Sequence, residues 1–133
     1  MSLKPTILVV DDEDLIRWSL SERLRTEGCA VVEAEDGRRA LERVDEHVDL
    51  AVLDYRLPDT DGLTLLRRLK ARYPRMLAML LTAYATPETA MQAVDAGAFN
   101  LARKPFDLDE IALMVRGALE ASGRRAPSGP SIS

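Results

Sequence analysis

Leu50-Ala51-Val52-Leu53-Asp54-Tyr55-Arg56-Leu57-Pro58-Asp59-Thr60-Asp61-Gly62 runs from one environment into its opposite. Leu50 to Leu53 are apolar without alternation, the pattern of a strand buried on both faces. The run ends on a carboxylate, Asp54, and a Pro-Asp-Thr-Asp-Gly stretch of turn formers follows. A strand covered on both sides that delivers an acid at its very end asks what waits at that end.

Working outward, runs of the same kind recur on both sides. Thr6 to Val10 (TILVV) is rich in β-branched residues, and Ala30 to Ala34 (AVVEA), Leu77 to Leu81 (LAMLL) and Ala98 to Ala102 (AFNLA) follow at fairly even spacing. Helical periods fill the gaps: Ile16 with Leu20 and Leu24, Ala40 with Val44, Leu65 with Leu69, Ala90 with Val94, and Ile111 with Val115 and Leu119. The alternation predicts an α/β domain of the (βα)5 kind, a parallel sheet between two helical layers. Local signals agree. Thr86-Pro87 reads as an N-cap with proline at the first helical position, and Asp107 followed by Glu110 as a capping box. Gly28 and Gly97 stand where helices should stop.

The chain of 133 residues suits one domain with one core. Residues 5–122 carry the periodic pattern, and 123–133 (GRRAPSGPSIS) read as a linker or disordered tail. A net charge of −4 makes no case for direct nucleic-acid or membrane contact, and no apolar run reaches the length of a membrane span. The lone cysteine, Cys29, has no partner for a disulfide, which fits a cytoplasmic location.

In an open parallel sheet, ligands bind beyond the carboxyl ends of the strands, near the point where strand order reverses. Asp11 and Asp12 end the first strand, Asp54 the third, Thr82 the fourth and Lys104 the fifth. With strand order 2-1-3-4-5 these groups converge. Three carboxylates repel one another unless a cation neutralises them, and oxygen donors beside phosphate suit Mg²⁺. A carboxylate next to such a cation can attack phosphorus, and a lysine and a hydroxyl can hold the phosphoryl oxygens.

These residues resemble the receiver domain of two-component response regulators. The matching motifs are VVDDE (9–13), LDYRLPDTDG (53–62), LTAYA (81–85) and GAFNLARKPFDLDE (97–110). The resemblance implies a flavodoxin-like three-layer fold, Asp54 as phosphoacceptor, and Thr82 and Lys104 assisting. It implies Mg²⁺ bound by Asp12, Asp54 and the main-chain carbonyl of Arg56, with Asp11 acting through water. A sensor histidine kinase would supply the phosphoryl group, and the Lys104-Pro105 bond would be cis. LIRWSL (15–20), residues 81–100 and KPFDLDEI (104–111) look like the nitrogen-regulator class, whose receivers precede an ATPase domain and a DNA-binding domain. The chain would then switch a transcription-regulating output rather than act as an enzyme, and could form a homodimer through its fourth and fifth helices, where Met91, Met114 and Ala118 lie.

Two positions depart from or modulate that pattern. Receivers commonly have an aromatic residue where this chain has Leu101, so transmission to the fourth helix and fifth strand is expected to be altered or weaker. Arg56 and Tyr84 flank the site and are expected to shield an acyl phosphate from water. The remaining residues read more plainly. Asp59 and Asp61 are turn and cap residues, Cys29 an apolar filler, and His47 a surface residue. Trp18 and Phe99 are expected to pack, and Arg67, Arg68, Arg72 and Arg75 to form a solvated cationic edge. Two other functions compete: a pseudo-receiver that binds a partner without phosphorylation, and a phosphoaspartate hydrolase using the D-x-D spacing of Asp12 and Asp14.

Overall fold

The computed structural model describes residues 4–124. Its elements alternate strictly: β1 (Thr6–Val10), α1 (Asp14–Thr26), β2 (Ala30–Ala34), α2 (Gly37–Arg43), β3 (Leu50–Asp54), α3 (Gly62–Arg72), β4 (Leu77–Thr82), α4 (Pro87–Asp95), β5 (Asn100–Arg103) and α5 (Leu108–Ala121). The strands form one parallel sheet in the order β2-β1-β3-β4-β5, as expected. Residues 125–133, most of the expected tail, lie outside the described residues.

The apolar runs lacked alternation because both faces of the sheet are covered. Leu8, Val10, Ala51, Leu53, Ala78 and Leu80 pack with Ala40 of α2, Leu65, Leu66 and Leu69 of α3, and Ala93 of α4. The intervening Ile7, Val9, Leu50, Val52, Met79 and Leu81 pack with Leu20 and Leu24 of α1 and Ile111, Val115 and Leu119 of α5. Cutting one of these leucines to alanine costs about 2–5 kcal/mol.

The caps form largely as read. Thr86 Oγ1 accepts from the Thr89 amide with Pro87 opening α4. Asp107 caps α5, but accepts from the Asp109 amide one residue earlier than a capping box requires. Gly28 and Gly97 end α1 and α4 at φ of 100° and 97°, a backbone region open to glycine. β5 begins at Asn100 rather than Ala98, and Val44 is buried just beyond α2 in extended backbone.

Two packing expectations fail. Trp18 is 59% exposed and Phe99 45% exposed. The buried side of α1 carries Leu20 and Leu24, and Trp18, two residues from Leu20, points about 200° away from it. Phe99 precedes the outermost strand, where one flank has no neighbour. On the expected dimer face, Met91 is exposed and Met114 half-buried, whereas Ala118 is sealed in the core. Arg67, Arg68, Arg72 and Arg75 are exposed, His47 is exposed, and Cys29 is buried, as read.

Candidate functional site

Strand register builds the site. Val10 pairs with Leu53, so Asp11 and Asp54 follow side by side at the carboxyl ends of adjacent strands. Thr82 closes β4 and Lys104 follows β5, its amide donating to Thr82 O at 2.7 Å. The Lys104-Pro105 bond is cis, as the resemblance implied.

Lys104 Nζ is the hub. It lies 3.2 Å from Asp11 Oδ2, 3.2 Å from Asp54 Oδ2 and 3.6 Å from Glu13 Oε1. Asp11 is fully buried, Asp54 is 5% exposed and Thr82 is buried. Burial pushes the Asp11 carboxyl above the ordinary carboxylate range, against the Glu13 amide and the Lys104 charge, which favour ionisation. Burial, then the charge of Asp11, does the same to Asp54. Burial pulls the Lys104 ammonium down, but the two carboxylates outweigh it and the net shift is upward.

Asp11, Asp12 and Asp54 each present an oxygen, all within 4.8 Å of one another. Three carboxylates against the Lys104 ammonium leave a formal charge of −2 at this spot. That matches a hard dication, and carboxylate oxygens are the donors Mg²⁺ takes. The donor set therefore fits the cation that the motifs implied.

The loop after β3 closes the site from one side. Gly62 N donates to Tyr55 O at 2.7 Å, Leu57 N to Thr60 O at 3.2 Å, and Arg56 bridges to Asp61. A Cβ at Gly62 would sit 2.6 Å from Asp54 O, so only glycine lets α3 start this close to the site. On the other side Thr82 Oγ1 accepts from the Tyr84 amide at 3.1 Å. The pocket between the loops measures about 770 Å³ and is lined by Asp12, Asp54, Arg56, Thr82, Tyr84 and Lys104, among others. On its lining the Arg56 guanidinium lies 5.6 Å from the centre of the Tyr84 ring.

All the expected site residues thus meet in one place. Asp14 does not join them: it is exposed and paired with Arg17 at 2.8 Å, so the D-x-D spacing does not converge. Leu101 is half-buried against the α2–α4 side of the core. Asp61 is the N-cap of α3, accepting from Thr64 N. Asp59, read only as a turn residue, also caps α2 from across the fold, accepting from the Gly37 and Arg38 amides at 2.9 Å each. Sequence reading missed Glu13, which only had to be the next acid after Asp12, and Arg17, which donates to Asp11 O at 2.8 Å.

The fold and the pocket together define a flavodoxin-like domain with an acidic centre fit for a cation at its switch point. The response regulator receiver domain model matches residues 7–116, and the chain belongs to that family. It is 43% identical over 115 residues to the regulatory protein AtoC of Escherichia coli, a match covering 86% of this chain and 25% of that protein. It is 38% identical over 119 residues to the transcriptional regulator NtrC of Proteus hauseri, covering 87% of this chain and 25% of that one. Among solved structures, a CheY-like receiver domain protein from Methanospirillum hungatei superposes with a TM-score of 0.85 at 30% identity, over 92% of this chain and 98% of that one. The chain spans about a quarter of the length of AtoC and NtrC. Receiver domains are phosphoacceptor switches: they bind Mg²⁺, take a phosphoryl group on an aspartate and partner with sensor histidine kinases. No helix among the described residues is long and apolar enough to cross a membrane.

Proposed function

We propose that the chain is the phosphoacceptor switch of a two-component phosphorelay, with Asp54 receiving the phosphoryl group from a phosphohistidine on a sensor kinase. The observation that carries this reading is Lys104 Nζ held 3.2 Å from both Asp11 and Asp54 at the mouth of a pocket. A carboxylate oxygen of Asp54 attacks phosphorus in line, the P–N bond breaks, and the imidazole nitrogen keeps the electron pair. Asp12, Asp54 and the Arg56 carbonyl would hold Mg²⁺, with Asp11 acting through water, and the cation would neutralise charge on the phosphoryl oxygens. Thr82 and Lys104 then turn to the new group, which brings a charge near −2. That charge biases the loop after β4, and with it α4 and β5, between two arrangements.

By similarity to AtoC and NtrC, the readout is a transcription-regulating output domain. Exposed Met91 and Val94 on α4 and Leu113 on α5 support a self-associating face there.

The test is intact mass after incubation with acetyl phosphate and MgCl₂, for the wild type and Asp54→Ala. One phosphoryl adduct on the wild type and none on the variant is expected. No adduct on either protein would refute the reading in favour of a phosphorylation-independent binding module. An adduct that survives Asp54→Ala would place the acceptor elsewhere.

A further inference from the structure

We infer that Arg17 is a positioning residue for the cation site, acting through the peptide that joins Asp11 to Asp12. The inference rests on the reading of this pocket as a Mg²⁺-dependent phosphoacceptor site. Arg17 lies in the first turn of α1 with its side chain only 16% exposed. One guanidinium makes three contacts at once. Nη1 donates to Asp11 O at 2.8 Å, Nη2 to Asp14 Oδ1 at 2.8 Å, and Nε faces Glu33 Oε1 of β2 at 3.3 Å.

The first contact matters most. Asp11 O belongs to the peptide plane between the two acids, so fixing it fixes the direction in which each carboxylate leaves the backbone. The same short segment is tied on its other sides: Asp11 N donates to Ala34 O at 3.2 Å, and Glu13 N to Asp11 Oδ1 at 2.9 Å. Without such ties, repulsion among three carboxylates would splay the pair apart. A planar fork with several donors can hold a carbonyl and two carboxylates together, whereas a lysine is a single point charge. Glu33 anchors the fork to the sheet, and Asp14 anchors it to the helix. Neither acid reaches the pocket lining.

Charge and geometry make opposite demands here, which renders the inference testable. A cation near a Mg²⁺ site weakens Mg²⁺ binding by Coulomb repulsion, so removing Arg17 as a mere charge should tighten it. Removing it as a positioning group should loosen it.

The experiment is calorimetric titration with MgCl₂ alone, in chelator-treated protein, for the wild type, Arg17→Gln, Arg17→Lys and Arg25→Gln. Arg25 pairs with the same Glu33 at 3.2 Å but touches no backbone of the site, so it controls for lost charge. Thermal melts in EDTA show whether each variant is folded. The Mg²⁺ Kd of Arg17→Gln is expected to rise about tenfold, the usual scale for losing a partner that orients a metal ligand. Arg17→Lys should fall between it and the wild type, and Arg25→Gln should be unchanged or slightly tighter. If Arg17→Gln binds Mg²⁺ as tightly as the wild type, or more tightly, Arg17 does not position the site. If Arg17→Gln fails to fold, the Arg17→Lys titration decides: a Kd equal to the wild type overturns the inference. If the wild type itself binds no Mg²⁺, the functional reading beneath it fails instead.

Discussion

Tyr84→Ala should shorten the life of the acyl phosphate on Asp54. Arg56 comes from the loop after β3 and Tyr84 from the loop after β4; both line the pocket, and the Arg56 guanidinium lies 5.6 Å from the Tyr84 ring centre. On the shielding reading, water reaches phosphorus when those two loops part. Tyr84 is 68% exposed, so the cation–π contact sits at the weak end of its range, about 0.5–1 kcal/mol. Parting the loops costs that much. Removing the ring removes the cost, and with RT near 0.6 kcal/mol the open population and the hydrolysis rate rise about two- to fivefold. The assay loads the protein with acetyl phosphate and MgCl₂, removes the donor on a desalting column, and follows the adduct by intact mass. Tyr84→Phe keeps the ring and should decay like the wild type. Arg56→Met removes the cation, keeps the backbone carbonyl, and should match Tyr84→Ala. The double variant should be no faster than either single one, because both remove the same contact. A Tyr84→Ala adduct that decays at the wild-type rate or more slowly refutes the shielding argument. Decay of Tyr84→Phe as fast as Tyr84→Ala would assign the effect to the phenol oxygen.

Other consequences can be measured on the same protein. Without Mg²⁺, Asp54→Asn should melt a few degrees above the wild type, since it relieves a buried carboxylate of its desolvation and of the Asp11 charge, on the order of 1 kcal/mol. Adding MgCl₂ should raise the wild-type melting temperature and leave that of the variant nearly unchanged. Burial pushes the Cys29 thiol from 9.0 to about 11, so alkylation by iodoacetamide at pH 8 should run about 100-fold slower in the native protein than in urea. The same raised value means that the contribution of Cys29 to stability is complete below about pH 9 and is lost as pH climbs toward 11. A Cys29→Ala variant should lack that loss, and equal alkaline profiles for the two proteins would contradict it. Asp59→Ala strips the cap from the Gly37 and Arg38 amides and should cost about 1–2 kcal/mol in urea unfolding, and Asp59→Asn should recover only part of it, because its amide keeps one acceptor oxygen and turns a donor toward the second N–H. Leu101→Tyr should strengthen phosphorylation-dependent self-association measured by sedimentation, and an unchanged profile would count against a switching role for that position.

The fold was readable because its strands are buried on both faces. Leu50 to Leu53 have no polar residue to hide, and alternate members of the run enter different cores, one against α2, α3 and α4 and the other against α1 and α5. What periodicity could not convey was how wide each buried stripe is. Trp18 looked like a core residue by type, yet Leu20 and Leu24 already fill the inward side of α1 and Trp18 falls out of phase with them. Phase, which the sequence does contain, outranks hydrophobicity there. Phe99 is a different case. Its exposure follows from β5 being an edge strand, a property of the assembled sheet.

The site was readable for a related reason. Each of its groups ends a strand or lies within two residues beyond one, and a parallel sheet brings all strand ends to one edge, so position along the chain was enough to gather Asp11, Asp12, Asp54, Thr82 and Lys104. The residues that hold those groups in place obey no such rule. Arg17 pairs with Asp14 as a helix arginine would, but its bond to Asp11 O reaches six residues back from the first turn of α1 to the segment that follows β1. Asp59 reads as a turn former, and its bonds to Gly37 and Arg38 span the fold. Groups that do the chemistry are fixed by topology, which repeats along the sequence. Groups that aim them depend on the reach of individual side chains between elements, and there two such side chains tie both acidic loops to neighbouring helices. By that reasoning a receiver with the same five site residues but a different side chain at position 17 should differ in how tightly it holds the cation, and one with a different side chain at position 59 should differ in stability.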